Sequence, residues 1–219
     1  ESSVEIVTGD TKTVEAGAAD KIFINTAGIG VRLPGVSLGY EKIVPGDKII
    51  ISGTLGDHGL AIISQRKGIE FESQLQSDCA PLAGLTCELL EKTNGIRFMR
   101  DPTRGGLAAT LNEISRGAEL SIEINEADIP LNPTTRAAAD ILGFDVLEIA
   151  NEGKVVVVAS AESADDCLSI CRNRPLGARA RIIGQVVPAR DVPTVELITR
   201  IGGRRIVQMP YGRELPRIC

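Results

Sequence analysis

The 219-residue sequence carries 29 acidic against 24 basic side chains, for a formal net charge of −5, and 43% of its residues are hydrophobic. A chain of this length and composition can bury a sizeable core, as one large domain or a domain and a half. Its net negative charge, lack of a basic run and low aromatic content argue against nucleic-acid binding, and without a membrane-length apolar run or a signal peptide we predict a cytoplasmic protein with no membrane partner.

The first 44 residues contain two segments with strand character. Residues 4–8 alternate apolar and polar side chains, and residues 21–27 are rich in Ile, Phe and Asn, which predicts two strands. Two strands alone are marginal in water, so this segment either packs on the rest of the chain or is the end of a domain whose beginning is absent. Glu1, in place of a starting methionine, fits a trimmed chain. We therefore expect residues 1–44 to be the end of an N-terminal domain.

A complete domain begins near Pro45. Its first elements are a buried strand at 48–52 and the glycine-rich loop GTLGDHG at 53–59. Asp57 is predicted to be the N-cap of a helix over 58–66, because its side-chain oxygens can accept the free N–H groups of the first turn.

Apolar spacing predicts the rest of this domain. In chain order, the predicted elements are a helix through Leu82, Leu85 and Leu89, the loop RDPTRGG at 100–106, a helix through Leu107, Leu111 and Ile114, a strand at 120–124, a helix at 134–142, a hairpin of strands 146–149 and 155–158 around the turn ANEG, a helix at 162–171, and strands at 180–187, 194–198 and 204–207. Strands and helices alternate without a strict βαβ rhythm. This order predicts an α+β fold over 45–207, with a mixed sheet and helices packed on one face, followed by a mobile tail at 208–219.

The chain has five cysteines and no CxxC pair, which indicates reduced thiols more than a disulfide framework. Cys79 and Cys87 flank an apolar helix, while Cys167 and Cys171 are four residues apart on another. That spacing could suit a metal ion, but the single histidine, His58, is far away in sequence. We predict that these four cysteines pack in the core, where a free cysteine behaves as a small hydrophobe.

The fifth cysteine, Cys219, is the last residue of the tail. Pro216 restricts the backbone around it, so the tail is expected to be a stiff arm rather than a helix. A thiol on such an arm can accept a group at one site and present it at another. An ordinary cysteine on a frayed terminus is the alternative.

The turn GDTK at residues 9–12 places a carboxylate, a hydroxyl and an ammonium next to a predicted strand. A magnesium–nucleotide site needs these groups, with Asp10 for the metal, Thr11 for phosphate or metal, and Lys12 for phosphate charge. The spacing is not that of a P-loop, and an ordinary surface turn is the alternative.

The loop RDPTRGG precedes a predicted helix. Gly105 and Gly106 would leave backbone N–H groups open to an anion, and Arg104 can add a fork of donors. A helix cap made by Asp101 or Thr103 is the alternative.

His58 lies among the glycines of GTLGDHG. An imidazole there suits a proton carrier or a polar contact to a ligand. It could equally be a residue at the start of a helix with no catalytic role.

Taken in order, these loops and the tail resemble one known family. GDTK, SGTLGDHG, RDPTRGG, ANEGK (residues 150–154) and the terminal PRIC are together similar to the HypE family of hydrogenase-maturation proteins, within the ATP-binding superfamily of aminoimidazole ribonucleotide synthase. The resemblance runs along essentially the whole chain, and PRIC separates this family from its superfamily relatives. It implies two α/β domains with ATP between them. Residues 1–44 resemble only the end of the N-terminal ATP-binding domain, whose acidic magnesium-binding segments lie outside the chain.

The resemblance also implies a reaction. A partner carbamoyltransferase loads a carbamoyl group onto Cys219 as a thiocarboxamide. ATP phosphorylates its carbonyl oxygen, and loss of phosphate and a proton leaves a thiocyanate, whose cyano group passes to iron on a maturation scaffold of nickel–iron hydrogenase. Lys12 and Asp10, with Mg²⁺, would offset charge on the transferring phosphoryl group. Either His58 or Glu152 would take the proton.

The cofactors implied are ATP and Mg²⁺, and the family is expected to form homodimers. We assign the cofactor site to two loops, with Asp10 as the metal ligand. Its residues are Asp10, Thr11, Lys12, Asp101, Arg104, Gly105 and Gly106. Two other functions fit the same motifs. One is a superfamily relative that uses ATP on a soluble substrate, and the other is a non-catalytic domain that displays the tail and docks partners.

Overall fold

The structure, a computed structural model, describes residues 2, 4–19, 21–69 and 75–210. The chain divides into two compact units, Glu1–Val36 and Ser37–Cys219.

The described residues of the first unit form no helix and no strand. Backbone hydrogen bonds close two turns there, which end at Ala18 and Val36. The strands predicted at 4–8 and 21–27 are therefore wrong. A strand needs a neighbour to pair with its N–H and C=O groups, and no described residue of this unit supplies one. Lys21 also has a left-handed backbone, with φ of 61°, which interrupts an extended run.

The described residues of the second unit contain five α-helices and seven β-strands. In chain order they are β1 (Lys48–Ile51), α1 (Asp57–Lys67), α2 (Ala83–Lys92), β2 (Ile96–Arg100), α3 (Gly106–Ala118), β3 (Ser121–Asn125), α4 (Pro133–Leu142), β4 (Val156–Ala159), α5 (Ala164–Arg172), β5 (Arg181–Val187), β6 (Val195–Ile198) and β7 (Arg204–Ile206). The predicted helices are confirmed to within two residues, as are all the predicted strands of this unit except 146–149. Strand β2 was not predicted. Within the described ranges, no helix has the length and apolar character needed to cross a membrane.

The seven strands belong to one mixed sheet in the order β2–β4–β1–β5–β3–β6–β7. β3 and β6 pair in parallel, and the other neighbouring strands pair antiparallel. β1 lies inside the sheet and pairs with β4 on one side and β5 on the other. The loop GTLGDHG, which comes directly after β1, therefore leaves the sheet at an interior position rather than at an edge.

Both faces of the sheet are covered. Ile49 and Ile51 of β1 belong to a large hydrophobic cluster that includes the buried side of α3. Ile50 points the other way, into a second cluster formed with α2 and α5, because successive side chains of a strand alternate between faces. The predicted α+β fold with a mixed sheet is confirmed. Its helices, however, pack on both faces rather than on one. The three isoleucines of β1 and the fully apolar β4 give the sheet a hydrophobic surface on each side.

A smaller cluster lies between α1 and α4. Leu60 of α1 packs there with Ala138 and Ala139 of α4 and with Ile149. This contact fixes the N-terminal end of α1 beside the segment that leads into ANEGK.

Residues 146–149 do not form the first strand of the predicted hairpin. Their carbonyl groups bond elsewhere: Leu147 O accepts the Ala108 N–H at 2.8 Å, and Ile149 O accepts the Asn151 side-chain amide at 3.0 Å. β4 pairs instead with β1 and β2. The apolar run is partly buried because it covers the start of α3, not because it joins the sheet.

Core packing is confirmed for two of the four cysteines for which it was predicted. Cys167 and Cys171 of α5 are buried, and burial raises the pKa of the Cys171 thiol to about 11. Cys79 and Cys87 are exposed, so core packing was the wrong prediction for them. Helix α2 turns Leu85 and Leu89 to the core and leaves its other sides in solvent.

Candidate functional site

Asn151 holds three loops of the second unit together. Its side-chain oxygen accepts the Gly56 N–H at 2.8 Å, and its side-chain amide donates to Pro102 O and Ile149 O, both at 3.0 Å. Asn151 is fully buried, so these bonds replace the ones it would make to water. GTLGDHG, RDPTRGG and ANEGK therefore meet at one side chain, although Gly56 and Asn151 lie 95 residues apart in sequence.

Glycine allows α1 to approach ANEGK closely. The Gly59 N–H donates to Ala150 O at 3.1 Å. A Cβ atom at position 59 would collide with the Ile149 side chain and lie 3.3 Å from Ala150 N. Gly59, the last glycine of GTLGDHG, is thus required by the close approach of Ile149 and Ala150.

Asp57 is the first residue of α1 and not its N-cap, so that prediction was wrong. The N-cap position is held by Gly56, with φ of 82°. The buried Asp57 carboxylate instead accepts hydrogen bonds from Thr54 Oγ1 at 2.5 Å, Asn132 Nδ2 at 2.9 Å and Thr135 Oγ1 at 2.5 Å. A carboxylate at this end of the helix also interacts favourably with the helix dipole. Asp57 thereby fixes the loop after β1 against the start of α4.

His58 is buried on the next position of α1. Its Nδ1 lies 2.8 Å from Ser77 Oγ. Its Nε2 is also buried and has no hydrogen-bond partner among the described residues. An imidazole in this environment can exchange a proton only with a group that reaches it inside the fold.

Asp78 and Lys154 form a buried ion pair beside Glu152. Lys154 Nζ donates to Asp78 Oδ2 at 2.7 Å, and the two side chains are only 9% and 6% exposed. The other Asp78 oxygen accepts the Glu152 N–H at 3.2 Å. The segment that carries Ser77 and Asp78 therefore lies across both GTLGDHG and ANEGK.

The loop RDPTRGG makes the turn into α3. Gly105, at the N-cap, has φ of 74°, and Gly106 has φ of 60°. No side chain caps the helix; Thr103 Oγ1 donates to the Asp101 carboxylate instead, at 2.6 Å. The predicted alternative of a cap by Asp101 or Thr103 is therefore not formed. Arg104 is exposed at the tip of the turn.

One of the two glycine N–H groups predicted to meet an anion at this turn is used inside the protein, and so is another donor of the first turn of α3. The Gly106 N–H donates to Thr103 O at 3.0 Å, and the Ala108 N–H donates to Leu147 O at 2.8 Å. An anion site here would be built from the remaining donors of the turn and from the Arg104 guanidinium.

GDTK belongs to the first unit, where its four residues are exposed. The Asp10 carboxylate accepts the Thr11 N–H at 2.8 Å, a bond typical of a polar turn. Across the described part of the chain, no group of three His, Cys, Asp or Glu side chains is placed to hold a metal ion.

The structure thus brings together the predicted residues His58, Glu152, Gly105 and Gly106, through the loops that carry them. The side chains that hold these loops were not predicted as site residues: Asn151, Ser77, Asp78 and Asn132. Asn151 could have been predicted, because it lies within the motif ANEGK. The others become recognisable only through contacts between residues that are distant in sequence. Cys219 lies outside the described residues.

This fold and its three joined loops define a class of protein. A family model described as the AIR synthase related protein, C-terminal domain, matches residues 44–195. The chain belongs to that family.

Within the family, the chain is similar to carbamoyl dehydratase HypE. It is 49% identical to the protein of that name from Rhizobium leguminosarum bv. viciae over 220 aligned residues, which cover 100% of this chain and 63% of the relative. A crystal structure of a HypE–HypF complex matches with a TM-score of 0.77 and 40% identity, over 80% of this chain and 57% of that one. The hydrogenase maturation protein HypE in complex with ATP matches with a TM-score of 0.79 and 38% identity, over 83% and 55%. The chain spans less than two thirds of these relatives.

Proposed function

We propose that this chain takes part in the ATP-dependent dehydration of a carbamoyl group carried as a thiocarboxamide on Cys219, which gives a thiocyanate. The observation that carries the proposal is the 49% identity, along the whole chain, to a protein named carbamoyl dehydratase HypE. The thiocyanate would supply the cyanide ligand for maturation of a nickel–iron hydrogenase. That role is in keeping with a relative named as a hydrogenase maturation protein.

The reaction balances in two steps. First, the carbonyl oxygen of the thiocarboxamide attacks the γ-phosphorus of ATP, an O–P bond forms, the bond to ADP breaks, and nitrogen loses one proton. Second, the C–O bond breaks as phosphate leaves, nitrogen loses its other proton, and the C–N bond becomes triple. Phosphorylation turns a poor leaving group into a good one. The protein must therefore stabilise charge on the phosphoryl group and provide a base close to nitrogen.

We assign the stabilisation of charge on the phosphoryl group to the two predicted loops, GDTK and RDPTRGG. Lys12 supplies an ammonium, and Thr11 a hydroxyl. Arg104 supplies a guanidinium at the α3 turn, where the positive φ angles of Gly105 and Gly106 let the backbone approach a ligand. Asp101 would contribute to the nucleotide site by holding this loop, through the hydrogen bond that its carboxylate accepts from Thr103. A solved ATP complex of a relative supports ATP as the nucleotide.

We assign the base to Glu152 in preference to His58. Glu152 is half-buried, so a ligand can reach its side chain, and its backbone N–H donates to the Asp78 carboxylate at 3.2 Å. Both ring nitrogens of His58 are less available, because Nδ1 is bonded to Ser77 and Nε2 is buried. A base must come within hydrogen-bond distance of the proton that it removes.

Asp10 remains our proposed magnesium ligand. The described residues do not fit a complete metal site by themselves, since no three ligating side chains converge in them. Mg²⁺ is usually held by one or two carboxylates with water and substrate phosphates. No step above depends on the ion.

Two partners and a homodimer complete the proposal. A carbamoyltransferase would load Cys219, and an iron-carrying maturation scaffold would accept the cyano group. The solved HypE–HypF complex supports the first partner, because it shows that a relative of this chain binds another protein.

The proposal is tested by loading of the thiol. Incubation with the carbamoyltransferase partner and its carbamoyl donor should add a carbamoyl group to the chain, detected by intact-protein mass spectrometry. Cys219→Ala should abolish the addition and leave the thermal midpoint unchanged. Cys87→Ala, which removes an exposed thiol of α2, is the matched control and should load normally. Loading that persists in Cys219→Ala would show that the carrier thiol has been misassigned.

A further inference from the structure

A cavity of about 380 Å³ lies between the segment that comes after β3 and the start of β5. Its apolar wall comes from alanine, isoleucine, proline and leucine side chains, and three arginines provide its charge. The arginines are Arg172, Arg179 and Arg181. None of them belongs to the loops of the candidate site.

The charge of this cavity is unusual for the molecule. The chain has a net charge of −5, yet no carboxylate lines the cavity. Three other cavities in the described part of the chain each include at least one acidic residue beside their basic ones. An anion entering the arginine cavity therefore meets positive charge without an acidic competitor.

The three arginines also lack the ion pairs that several other described arginines of the second unit make. Arg97, Arg100, Arg174 and Arg204 each lie within ion-pair distance of a carboxylate. Within the described residues, no carboxylate pairs with an arginine of the cavity.

Two of these guanidinium groups are held in place by neutral acceptors. Arg172 Nε donates to Ala180 O at 3.1 Å. Arg179 donates to the Asn132 side-chain oxygen and, at 3.4 Å, to Leu131 O. A guanidinium has five N–H donors, so each group keeps donors free while its orientation is fixed. The Arg181 side chain, at the start of β5, has no hydrogen-bond partner among the described residues.

We propose that this cavity binds a small phosphate-bearing anion. Arginine matches phosphate oxygens in a bidentate geometry, and three arginines can share one phosphate or divide two. The volume exceeds that of a single phosphate group, which favours pyrophosphate or a phosphate ester over inorganic phosphate alone. The apolar wall then provides a surface for the organic part of an ester.

The cavity is joined to the candidate site by a short hydrogen-bond chain. Arg179 donates to Asn132, and Asn132 donates to the Asp57 carboxylate at 2.9 Å. An anion that recruits the free donors of Arg179 would act, through Asn132, on Asp57, the first residue of α1.

Titration of the ¹⁵N-labelled chain with pyrophosphate, followed by two-dimensional NMR, tests the proposal. We expect saturable shifts in the backbone amides of residues 178–182, with affinity that falls as salt is raised. Arg181→Gln should weaken binding by about tenfold or more, because it removes an unpaired guanidinium. AMP provides a second arm: shifts at the same amides would indicate a phosphate ester site, and shifts with pyrophosphate alone an inorganic one.

Arg116→Gln is the matched control, since Arg116 is exposed on α3 and its loss changes the net charge equally. Binding should be unchanged in this variant. Equal weakening in Arg116→Gln and Arg181→Gln would reduce the effect to general electrostatic attraction and overturn the proposal. Absence of saturable shifts at 178–182 with either ligand would overturn it as well.

Discussion

At the scale of single residues, the candidate site is built from buried polar groups that are satisfied by one another. Asn151, Asp57 and the Asp78–Lys154 pair are all buried, and each has hydrogen bonds from loops distant in sequence. A buried polar group without a partner is strongly destabilising. The loops are therefore held in one arrangement, because any displacement would leave several of these groups without partners.

Lys154 should be far more important for stability than its position in a loop indicates. Lys154→Met keeps the length of the side chain but leaves the Asp78 carboxylate buried and uncompensated. We expect the free energy of unfolding to fall by about 3–5 kcal/mol, measured by urea denaturation.

Two further variants show whether the buried charge is the cause. Arg205→Gln removes an ion pair to Asp145 whose side chains are 44% and 30% exposed. The free energy of unfolding should fall by less than about 1 kcal/mol in this variant, because solvent screens an exposed pair. In the double variant Lys154→Met with Asp78→Asn, the unpaired charge is gone and the Asp78 acceptor for Glu152 remains. That variant should recover part of the stability. A double variant no more stable than Lys154→Met would show that packing, and not charge, holds this position.

Sequence could predict which loops carry the candidate site, but not what joins them. GTLGDHG, RDPTRGG and ANEGK stand out because glycine and ionisable side chains occur together in each. The joining contacts of Asn132 and Asp78 are set by tertiary structure: Asn132 bonds a carboxylate 75 residues away and Asp78 an ammonium 76 residues away. Local patterns carry no information about such pairs. The N-cap prediction for Asp57 was wrong for the same reason. The three residues that donate to its carboxylate all lie outside the helix that it was predicted to cap.

At the scale of elements, the start of α3 depends on a glycine with a left-handed backbone. Gly106 has φ of 60°, and a Cβ atom there would lie 2.5 Å from both Leu147 O and Ile149 O. Gly106→Ala therefore combines backbone strain with a collision against the segment that covers the helix. We expect a loss of about 3 kcal/mol or more in the free energy of unfolding.

Gly143, the C-cap of α4, provides the comparison. It also has a left-handed backbone, with φ of 71°, but a Cβ atom there would meet nothing within 4 Å. Gly143→Ala should cost about 1–2 kcal/mol from backbone strain alone. If thermal or urea unfolding showed equal losses in the two variants, contact between 146–149 and α3 would not constrain this turn.

Elements of the second unit could be predicted closely from apolar spacing because most of them pack in the usual way against the sheet. The helix α3 shows the reason: its periodic residues Leu107, Leu111 and Ile114 all enter one cluster. The exceptions are segments whose neighbours decide their structure. Residues 146–149 have a strand-like composition, yet their carbonyls bond to α3 and Asn151. β2 was missed because its edge position leaves only Ile96 buried and the rest partly exposed.

At the scale of the whole molecule, the second unit contains its own core. All three hydrophobic clusters are formed by residues from Leu38 onward, and the described residues of the first unit contribute to none of them. In that first unit, apolar side chains such as Ile6 and Val31 are 94% exposed. The strands predicted there from alternation at 4–8 and from composition at 21–27 did not form, because a local pattern supplies no partner strand.

The second unit should therefore fold without the first. Deleting residues 1–36 removes no member of any cluster and no strand of the seven-stranded sheet. We expect the thermal midpoint of the shortened chain to lie within about 2 °C of that of the full chain, equivalent to less than about 1 kcal/mol for a protein of this size. Circular dichroism gives the midpoint, and light scattering shows whether the shortened chain is monomeric. A drop well beyond that margin, or loss of cooperative unfolding, would mean that residues 1–36 contribute to the core after all.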